Sequence, residues 1–349
     1  MKIAIIGAGA IGGYVGVKLA LAGEDVTFIA RRANLEAIRR NGMKLVMSDG
    51  SEQVARDVAA SNDYAGVGPQ DLVILAMKAH QVDAVCDDVP ALFGPSTVVV
   101  PMQNGIPYWY FHRHGGELDG TVVHSVDPAG RIAKRIPAER VLGCVVYPAS
   151  ELVAPGVVRH VEGDRFPLGE LDGSTTPRAI QVSEAFARAG FKAPLLDNIR
   201  AEIWLKLWGN LSFNPISALT RATLSDICQF GPTRELAAAM MAEAQTVAHK
   251  LGISFRVTLE KRIAGAEKVG KHKTSMLQDV EAGRTPEIEA LVGSVVELGR
   301  LTHTPTPCID AVYALTTLLA RNLPDATPQT EPERTHGHDV PRVAKALQV

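Results

Sequence analysis

Lys2-Ile3-Ala4-Ile5-Ile6-Gly7-Ala8-Gly9-Ala10-Ile11-Gly12 decides the fold, because a short, largely β-branched apolar run ends directly in G-x-G-x-x-G. Helix-compatible residues follow from Ala10 to Ala22, Gly23 stops them, and Asp25-Val26-Thr27-Phe28-Ile29-Ala30 reads as a second strand. Strand, glycine turn, helix and strand in this order form the layout of a dinucleotide-binding βαβ unit. Gly7 permits the tight turn, Gly9 lets the backbone approach a pyrophosphate, and Gly12 lets the helix pack closely on the strand. The helix start, with Ala10 and Ile11, then aims its N–H groups at the anion. A secretory signal is also apolar, but Lys18 interrupts this run and the glycines sit where a signal needs helix formers.

The tip of the second strand selects the cofactor. An acidic residue there bonds a ribose 2′-hydroxyl, whereas arginine accommodates a 2′-phosphate. The chain has Ala30-Arg31-Arg32 and no carboxylate. A guanidinium bonds phosphate bidentately and is weakly hydrated, so Arg31, helped by Arg32, points to NADP(H). The plainer reading is a pair of solvated arginines at a helix start.

The 349 residues suggest two domains, and 46% hydrophobic with 21% charged residues describes a globular chain with a sizeable core. A formal net charge of -2 gives no reason to expect nucleic acid or an anionic membrane as partner. No apolar stretch beyond the N-terminus is long enough to span a bilayer. Cys86, Cys144, Cys228 and Cys308 are scattered and form no C-x-x-C pair. They predict neither a metal site nor a disulfide framework, and they suit a cytoplasmic protein.

Along the chain, Leu35 and Ile38 mark a short helix, Met43 to Met47 a strand, and Leu72 to Ala76 a buried parallel strand. Lys78 lies just past that strand's carboxyl end, the edge where open α/β sheets bind ligands. It reads equally as a cofactor contact or a solvated lysine. Ser96 to Pro101 repeats the design and leads into Gln103-Asn104-Gly105, either a ligand contact or an ordinary turn. Short β-rich runs at Val122-Val123, Val141 to Tyr147 and Gly156 to Val161 suggest an added antiparallel part of the sheet. Thr176 to Ala189 suits a helix, and Lys192 to Leu196 a last strand.

Beyond Asp197 the pattern is helical over Ile199 to Leu219, Thr233 to Leu251, Leu259 to Ala264, Glu287 to Thr302 and Asp310 to Ala320. The expected organisation is an α/β Rossmann-type dinucleotide-binding domain over 1–196, an all-α domain over 197–322 and a loose tail over 323–349. The long apolar helices suit a monomer or a homodimer alike. Within Ile203 to Pro215 nearly everything is apolar except Lys206, Asn210 and Asn214. Spacing of four puts these three on one helix face. Such a stripe either faces water or lines a polar cleft, and a single charge with two amides favours the cleft.

At this point the chain resembles the ketopantoate reductase (2-dehydropantoate 2-reductase) family, over residues 1 to about 320. The resemblance rests on Gly7-x-Gly9-x-x-Gly12, Arg31, Lys78-x-x-Gln81, Gln103-Asn104-Gly105, Lys206-x3-Asn210-x3-Asn214-Pro215, Ser275-Met276-Leu277-Gln278-Asp279 and Glu287-Ile288-Glu289. It implies NADPH-dependent reduction of a 2-oxo acid in the pathway to pantothenate. By position it implies that Lys206 polarises the ketone oxygen and supplies a proton. Glu287 would bond a substrate hydroxyl and help orient Lys206. Asn210, Asn214 and Ser275 would hold the substrate's carboxylate and hydroxyls. Asn104 would sit between nicotinamide and substrate, and Gln81 would join Lys78 on the cofactor side. By residue type alone, Ser275 suits a helix cap and Glu287 an exposed first-turn carboxylate.

One segment departs from the family pattern. Tyr108-Trp109-Tyr110-Phe111 stands where better-known members have a plainer, more polar helix start. It either reshapes the pocket for another 2-oxo acid or fills a core. Two alternatives to ketopantoate therefore stand beside the resemblance, a reductase of a different 2-oxo acid and a non-catalytic NADP(H)-binding sensor.

Overall fold

The structure, a computed structural model, describes residues 1–323. The expected tail lies outside the described residues from 324 onward. In chain order the first elements are β1 (Lys2–Ile6), α1 (Ala10–Leu21), β2 (Asp25–Ile29), α2 (Arg32–Asn41), β3 (Met43–Val46), β4 (Glu52–Ala55), β5 (Ala59–Ser61), α3 (Tyr64–Val67), β6 (Gln70–Leu75) and β7 (Phe93–Pro101). Strands β5-β2-β1-β6-β7 form one sheet in that order, every neighbouring pair parallel. Ile3 to Ile6 and Leu72 to Leu75 are buried on both faces, which is why these central strands read as unbroken apolar runs. The chain winds outward from β1 to β2 and β5, then crosses back to β6 on the other side. That reversal opens a crevice at the carboxyl ends of β1 and β6, where doubly wound sheets bind their ligands.

The glycine turn fits this geometry atom by atom. Gly7 adopts φ +100, and a Cβ on Gly12 would stand 2.0 Å from the Gly7 carbonyl oxygen. Neither a left-handed turn nor that contact admits a side chain.

The β-rich middle differs from the expected extension of the main sheet. After α4 (Arg131–Arg135) and β8 (Gly143–Cys144), strands β9 (Ala149–Ala154) and β10 (Val157–Glu162) form a separate sheet in the order β4-β3-β10-β9. Its β3–β10 pair is parallel and its other pairs antiparallel. It packs on α1, where a Cβ on Gly13 would meet Met43 and Val158. Val122-Val123 is no strand: Val123 is buried, but its carbonyl closes a turn with Val126 and Asp127. β8 pairs with β11 (Leu168–Gly169), and α5 (Pro177–Arg188) follows. Lys192 to Leu196 makes only isolated bridges to Arg165 and Leu168, because Pro194 lacks a ladder donor.

The rest is helical: α6 (Ile199–Thr220), α7 (Leu224–Gln229), α8 (Gly231–Lys250), α9 (Leu259–Val269), α10 (Ser275–Glu281), a π-turn over Glu289–Gly293, α11 (Ser294–Leu301) and α12 (Pro307–Arg321). None of the described helices is long and apolar enough to cross a membrane. α6 is the axis, capped by Asn198 and packed by α8, α10 and α12. Trp204 and Trp208 are fully buried, and their indole N–H groups donate to Tyr110 Oη and the Met241 carbonyl, both at 2.7 Å.

The aromatic segment belongs to this packing. Tyr110 and Phe111 are wholly buried, Tyr108 donates to the Ile136 carbonyl, and Arg200 of α6 donates to the carbonyls of Tyr110 and His112. These contacts fasten α6 to the end of the parallel sheet, within one hydrophobic core shared by both halves.

Candidate active site

At the crevice, α1 begins without a side-chain cap and without an acidic residue in its first turn. Its leading N–H groups, including those of Ala10 and Ile11, therefore remain for an anion. A Cβ on Gly9 would meet no atom of another described residue within 4 Å. Protein packing does not demand glycine there, and the open space fits the approach of a pyrophosphate. Asn34 braces the loop, donating to the Ala8 carbonyl at 2.6 Å and accepting from Gly156 N at 2.7 Å. Arg31 is exposed at the tip of β2, and Arg32 beside it holds φ +52, a left-handed conformation that strains an ordinary side chain.

Facing the crevice from α6, the Lys206 ammonium donates to Asn104 Oδ1 at 2.6 Å and also to the Val146 carbonyl. Asn104 in turn donates through Nδ2 to Glu287 Oε2 at 3.2 Å, and Glu287 Oε1 accepts from Ala79 N at 3.0 Å. A polar chain thus links the ends of β6 and β7 to both α6 and the π-turn. Glu287 itself does not touch Lys206, because Asn104 stands between them.

Asn104 is positioned by its neighbours. Gln103 Nε2 donates to the Leu75 and Met77 carbonyls at 2.7 and 3.0 Å, tying the ends of β6 and β7 together. Gly105 takes φ +88, and a Cβ there would lie 2.0 Å from the Ala290 carbonyl oxygen, which accepts from Ile106 N. The Asn104-Gly105 pair is therefore a bend pressed against the helical half rather than a hydrogen-bonded turn. The π-turn presents the Ala290 carbonyl that receives it, the kind of local irregularity π-bulges bring to functional sites.

Burial sets the electrostatics. It drives the Lys206 ammonium down to about 8, against the opposing pull of the Glu287 carboxylate. Burial also lifts Glu287 above the usual carboxylate range, against the hydrogen bonds from Ala79 and Asn104 and the charge of Lys78. The Cys144 thiol is itself pushed up to about 12 by burial, so it stays neutral.

The remaining expected residues divide into two groups. Asn210 is half-buried and Asn214 almost fully buried, yet neither amide bonds another described residue. Buried amides need partners, so this stripe is left for water or ligand, as a cleft lining would be. Ser275 is exposed in the first turn of α10, where the capping oxygen comes instead from Thr274, which accepts from Leu277 N. Lys78 pairs with Asp279 at 2.6 Å and donates to the Thr285 carbonyl, while Gln81 accepts from Lys78 N. Both side chains are thus already bonded, Lys78 across to the helical half. Sequence reasoning overlooked Gln103, Val146 and Asp279 as partners. Asp279 had a signal, since an acid shared the Ser275 to Asp279 motif with no assigned mate, whereas a backbone carbonyl such as that of Val146 has none.

Comparison with known proteins agrees with this geometry. Residues 3–173 match the family described as ketopantoate reductase PanE/ApbA, and residues 198–320 match its C-terminal counterpart. A 2-dehydropantoate 2-reductase of Mesorhizobium japonicum is 54% identical over 321 residues, covering 92% of this chain and 98% of that protein. A crystal structure of a chain from Ralstonia solanacearum MolK2 superimposes with a TM-score of 0.88 at 42% identity, covering 92% of this chain and 98% of the other. The crystal structure of 2-dehydropantoate 2-reductase from Methylococcus capsulatus gives 0.80 at 27% identity, covering 94% and 99%. With both halves matched and the glycine crevice facing the Lys206–Asn104–Glu287 chain, this protein belongs to the ketopantoate reductase family.

Proposed function

We propose that the chain reduces a 2-oxo acid to a 2-hydroxy acid with NADPH, its substrate being 2-dehydropantoate and its product pantoate, in cytoplasmic pantothenate biosynthesis. The observation that carries this reading is Lys206, a buried ammonium brought down to about 8 at the edge of a dinucleotide crevice.

The bound nicotinamide supplies a hydride for the carbonyl carbon. The chain's own work is to receive the charge that collects on the oxygen. Lys206 donates a hydrogen bond to the ketone and passes it the proton, leaving a neutral amine that solvent reprotonates. Asn104 fixes the direction of the ammonium, because its Oδ1 faces Lys206 while its Nδ2 faces Glu287. Glu287 holds a substrate hydroxyl and keeps a compensating negative charge near the ammonium. Asn210, Asn214 and Ser275 bond the carboxylate and remaining hydroxyls. Gly7, Gly9, Ala10, Ile11 and Gly12 cradle the pyrophosphate, Arg31 takes the 2′-phosphate, and Lys78 and Gln81 border the cofactor. Lys78 does so chiefly by bridging to Asp279.

The test is NADPH oxidation with a panel of 2-oxo acids. The expected outcome is the highest kcat/KM with 2-dehydropantoate. Preference for another member of the panel would move the substrate assignment within the class. Tight NADPH binding with no oxidation by any of them would replace the enzyme with a sensor.

A further inference from the structure

The peptide group between Val146 and Tyr147 bonds in two directions. Its carbonyl accepts from the Lys206 ammonium, and its N–H donates to the Arg165 carbonyl at 3.2 Å. The peptide is trans, so these two bonds leave one plane on opposite sides. The bond to Arg165 prolongs the antiparallel β8–β11 pair, in which Val145 N also donates to the Pro167 carbonyl at 3.0 Å. Whatever keeps Tyr147 and Arg165 in register therefore sets where the Val146 carbonyl meets Lys206.

The side chains of these two residues end on one atom. Tyr147 Oη and Arg165 Nη1 donate to Glu202 Oε1 at 2.8 and 2.7 Å, and the guanidinium lies 5.2 Å from the centre of the Tyr147 ring. Glu202 is 2% exposed and sits on α6 four residues before Lys206, about one turn away. The contacts close a circuit: from Lys206 to the 146–147 peptide, on to Arg165, to Glu202, and back along α6. Arg256, from the α8–α9 connection, pairs with Glu202 Oε2 at 3.0 Å. Burial alone would raise the Glu202 carboxyl, but these donors hold it below the usual carboxylate range, so it is an anion. A buried ion cluster adds little net stability, because desolvation offsets the attraction. Folding alone is thus a poor account of it.

A lysine ammonium has three N–H donors. In Lys206, Asn104 Oδ1 and the Val146 carbonyl take two of them, which leaves the third with a fixed direction. Resting on the proposed 2-oxo acid reduction, we infer that Glu202 is a positioning residue for Lys206: it anchors Tyr147 and Arg165 so that the Val146 carbonyl holds one N–H and the remaining one faces the ketone oxygen. Glu202 works through the peptide and not by its charge, which Arg165 and Arg256 match. The charge bearing on Lys206 is that of Glu287, and the Cys144 thiol beside it stays neutral.

The experiment compares wild type with Glu202→Ala, Glu202→Gln, Tyr147→Phe and Arg256→Met, by melting temperature, NADPH affinity and the pH dependence of 2-dehydropantoate reduction. Glu202→Ala should lower kcat about tenfold to a hundredfold, the scale of a misdirected catalytic group, with much smaller changes in KM and NADPH affinity. Weakening a hydrogen bond to the charged form lowers a lysine's pKa, so the alkaline limb should move down by about one pH unit. Tyr147 is 36% exposed, and Tyr147→Phe, which deletes one hydroxyl, should show part of both changes in a folded protein. Glu202→Gln keeps an accepting oxygen and should recover part of the rate. Arg256→Met breaks an ion pair with the same carboxylate without touching the 146–147 peptide. It should lower the melting temperature but shift the alkaline limb far less than Tyr147→Phe does. An unmoved limb with normal kcat in Tyr147→Phe overturns the inference, as do equal shifts in Arg256→Met and Tyr147→Phe. If Glu202→Ala does not fold, Tyr147→Phe decides. Failure of wild type to reduce any 2-oxo acid would instead sink the enzymatic reading. In that case a carbon NMR titration of Lys206 Cε, assigned by its absence in Lys206→Ala, decides alone: a lowered pKa in Tyr147→Phe upholds the inference, and an unchanged one refutes it.

Discussion

Lys206 and Glu287 are joined through a single side chain, that of Asn104, whose Oδ1 accepts from the ammonium at 2.6 Å and whose Nδ2 donates to the carboxylate at 3.2 Å. An amide has one accepting and one donating end, so the two opposite charges fix its orientation, and it in turn fixes the direction of the ammonium. The relationship is electrostatic as well as geometric, because the carboxylate opposes the burial that weakens Lys206 as a base.

As the proposed proton donor, Lys206 is active in its ammonium form, which exists below its pKa of about 8. The kcat/KM for reduction should therefore level off just below that value and fall tenfold per pH unit above it. A break near 10 in a pH–rate profile would mean that burial does not act on this lysine. Lys206→Ala should lower kcat by about 10²–10⁴, the usual worth of general acid catalysis, and leave the NADPH dissociation constant nearly unchanged. A near-normal rate would refute the assignment.

Glu287→Gln tests the coupling between the two ends of the chain. The neutral amide still accepts from Ala79 N but no longer stabilises the ammonium, so the alkaline limb of the profile should move to lower pH. Any acid limb due to the raised carboxyl of Glu287 should vanish, and kcat/KM should drop by about one to two orders of magnitude with the loss of one charged partner. An alkaline limb that stays in place would show that the carboxylate does not reach Lys206 electrostatically.

Cofactor choice is expected to reside in Arg31. Replacing it by Asp removes the fork that suits a 2′-phosphate and adds a repelling charge at the tip of β2. The ratio of kcat/KM for NADPH over NADH should fall at least a hundredfold, a change of about 2.7 kcal/mol. A variant that kept the NADPH preference would assign it elsewhere, and Arg32, strained at φ +52 beside it, would be the next residue to replace.

How far the sequence was legible depended on whether a residue's reason is local. Gly7 answers to its own backbone at φ +100 and Gly12 to the Gly7 carbonyl, so the βαβ unit could be read from a few residues. The stripe of Lys206, Asn210 and Asn214 answers to helical period alone. Val122-Val123 and Lys192 to Leu196 have strand composition, but only tertiary partners decide whether an apolar run enters a ladder, and theirs are turns and isolated bridges. The cap of α10 is Thr274 rather than Ser275, because the two neighbours have the same capping chemistry and residue type alone does not separate them. The aromatic run from Tyr108 to Phe111 was ambiguous until Trp204 and Arg200, from the other half of the chain, were seen bonding Tyr110.

Gly9 and Gly12 separate folding from binding within one motif. A Cβ on Gly12 would press to 2.0 Å from the Gly7 carbonyl oxygen and 3.0 Å from Ala76 Cβ, and backbone in a tight turn cannot yield cheaply. Gly12→Ala should destabilise the cofactor-free protein by at least about 2 kcal/mol, the scale of overpacking. Gly9→Ala should leave the melting temperature nearly unchanged, since its Cβ meets nothing among the described residues and its backbone, at φ -84, is extended. Its methyl group would instead stand where the pyrophosphate approaches, so NADPH affinity should fall about tenfold or more, the loss of one good hydrogen bond to a charged group. Thermal melts without cofactor and fluorescence titrations with NADPH distinguish the two. If Gly9→Ala bound NADPH as tightly as wild type, the open space at residue 9 would not be the pyrophosphate's path.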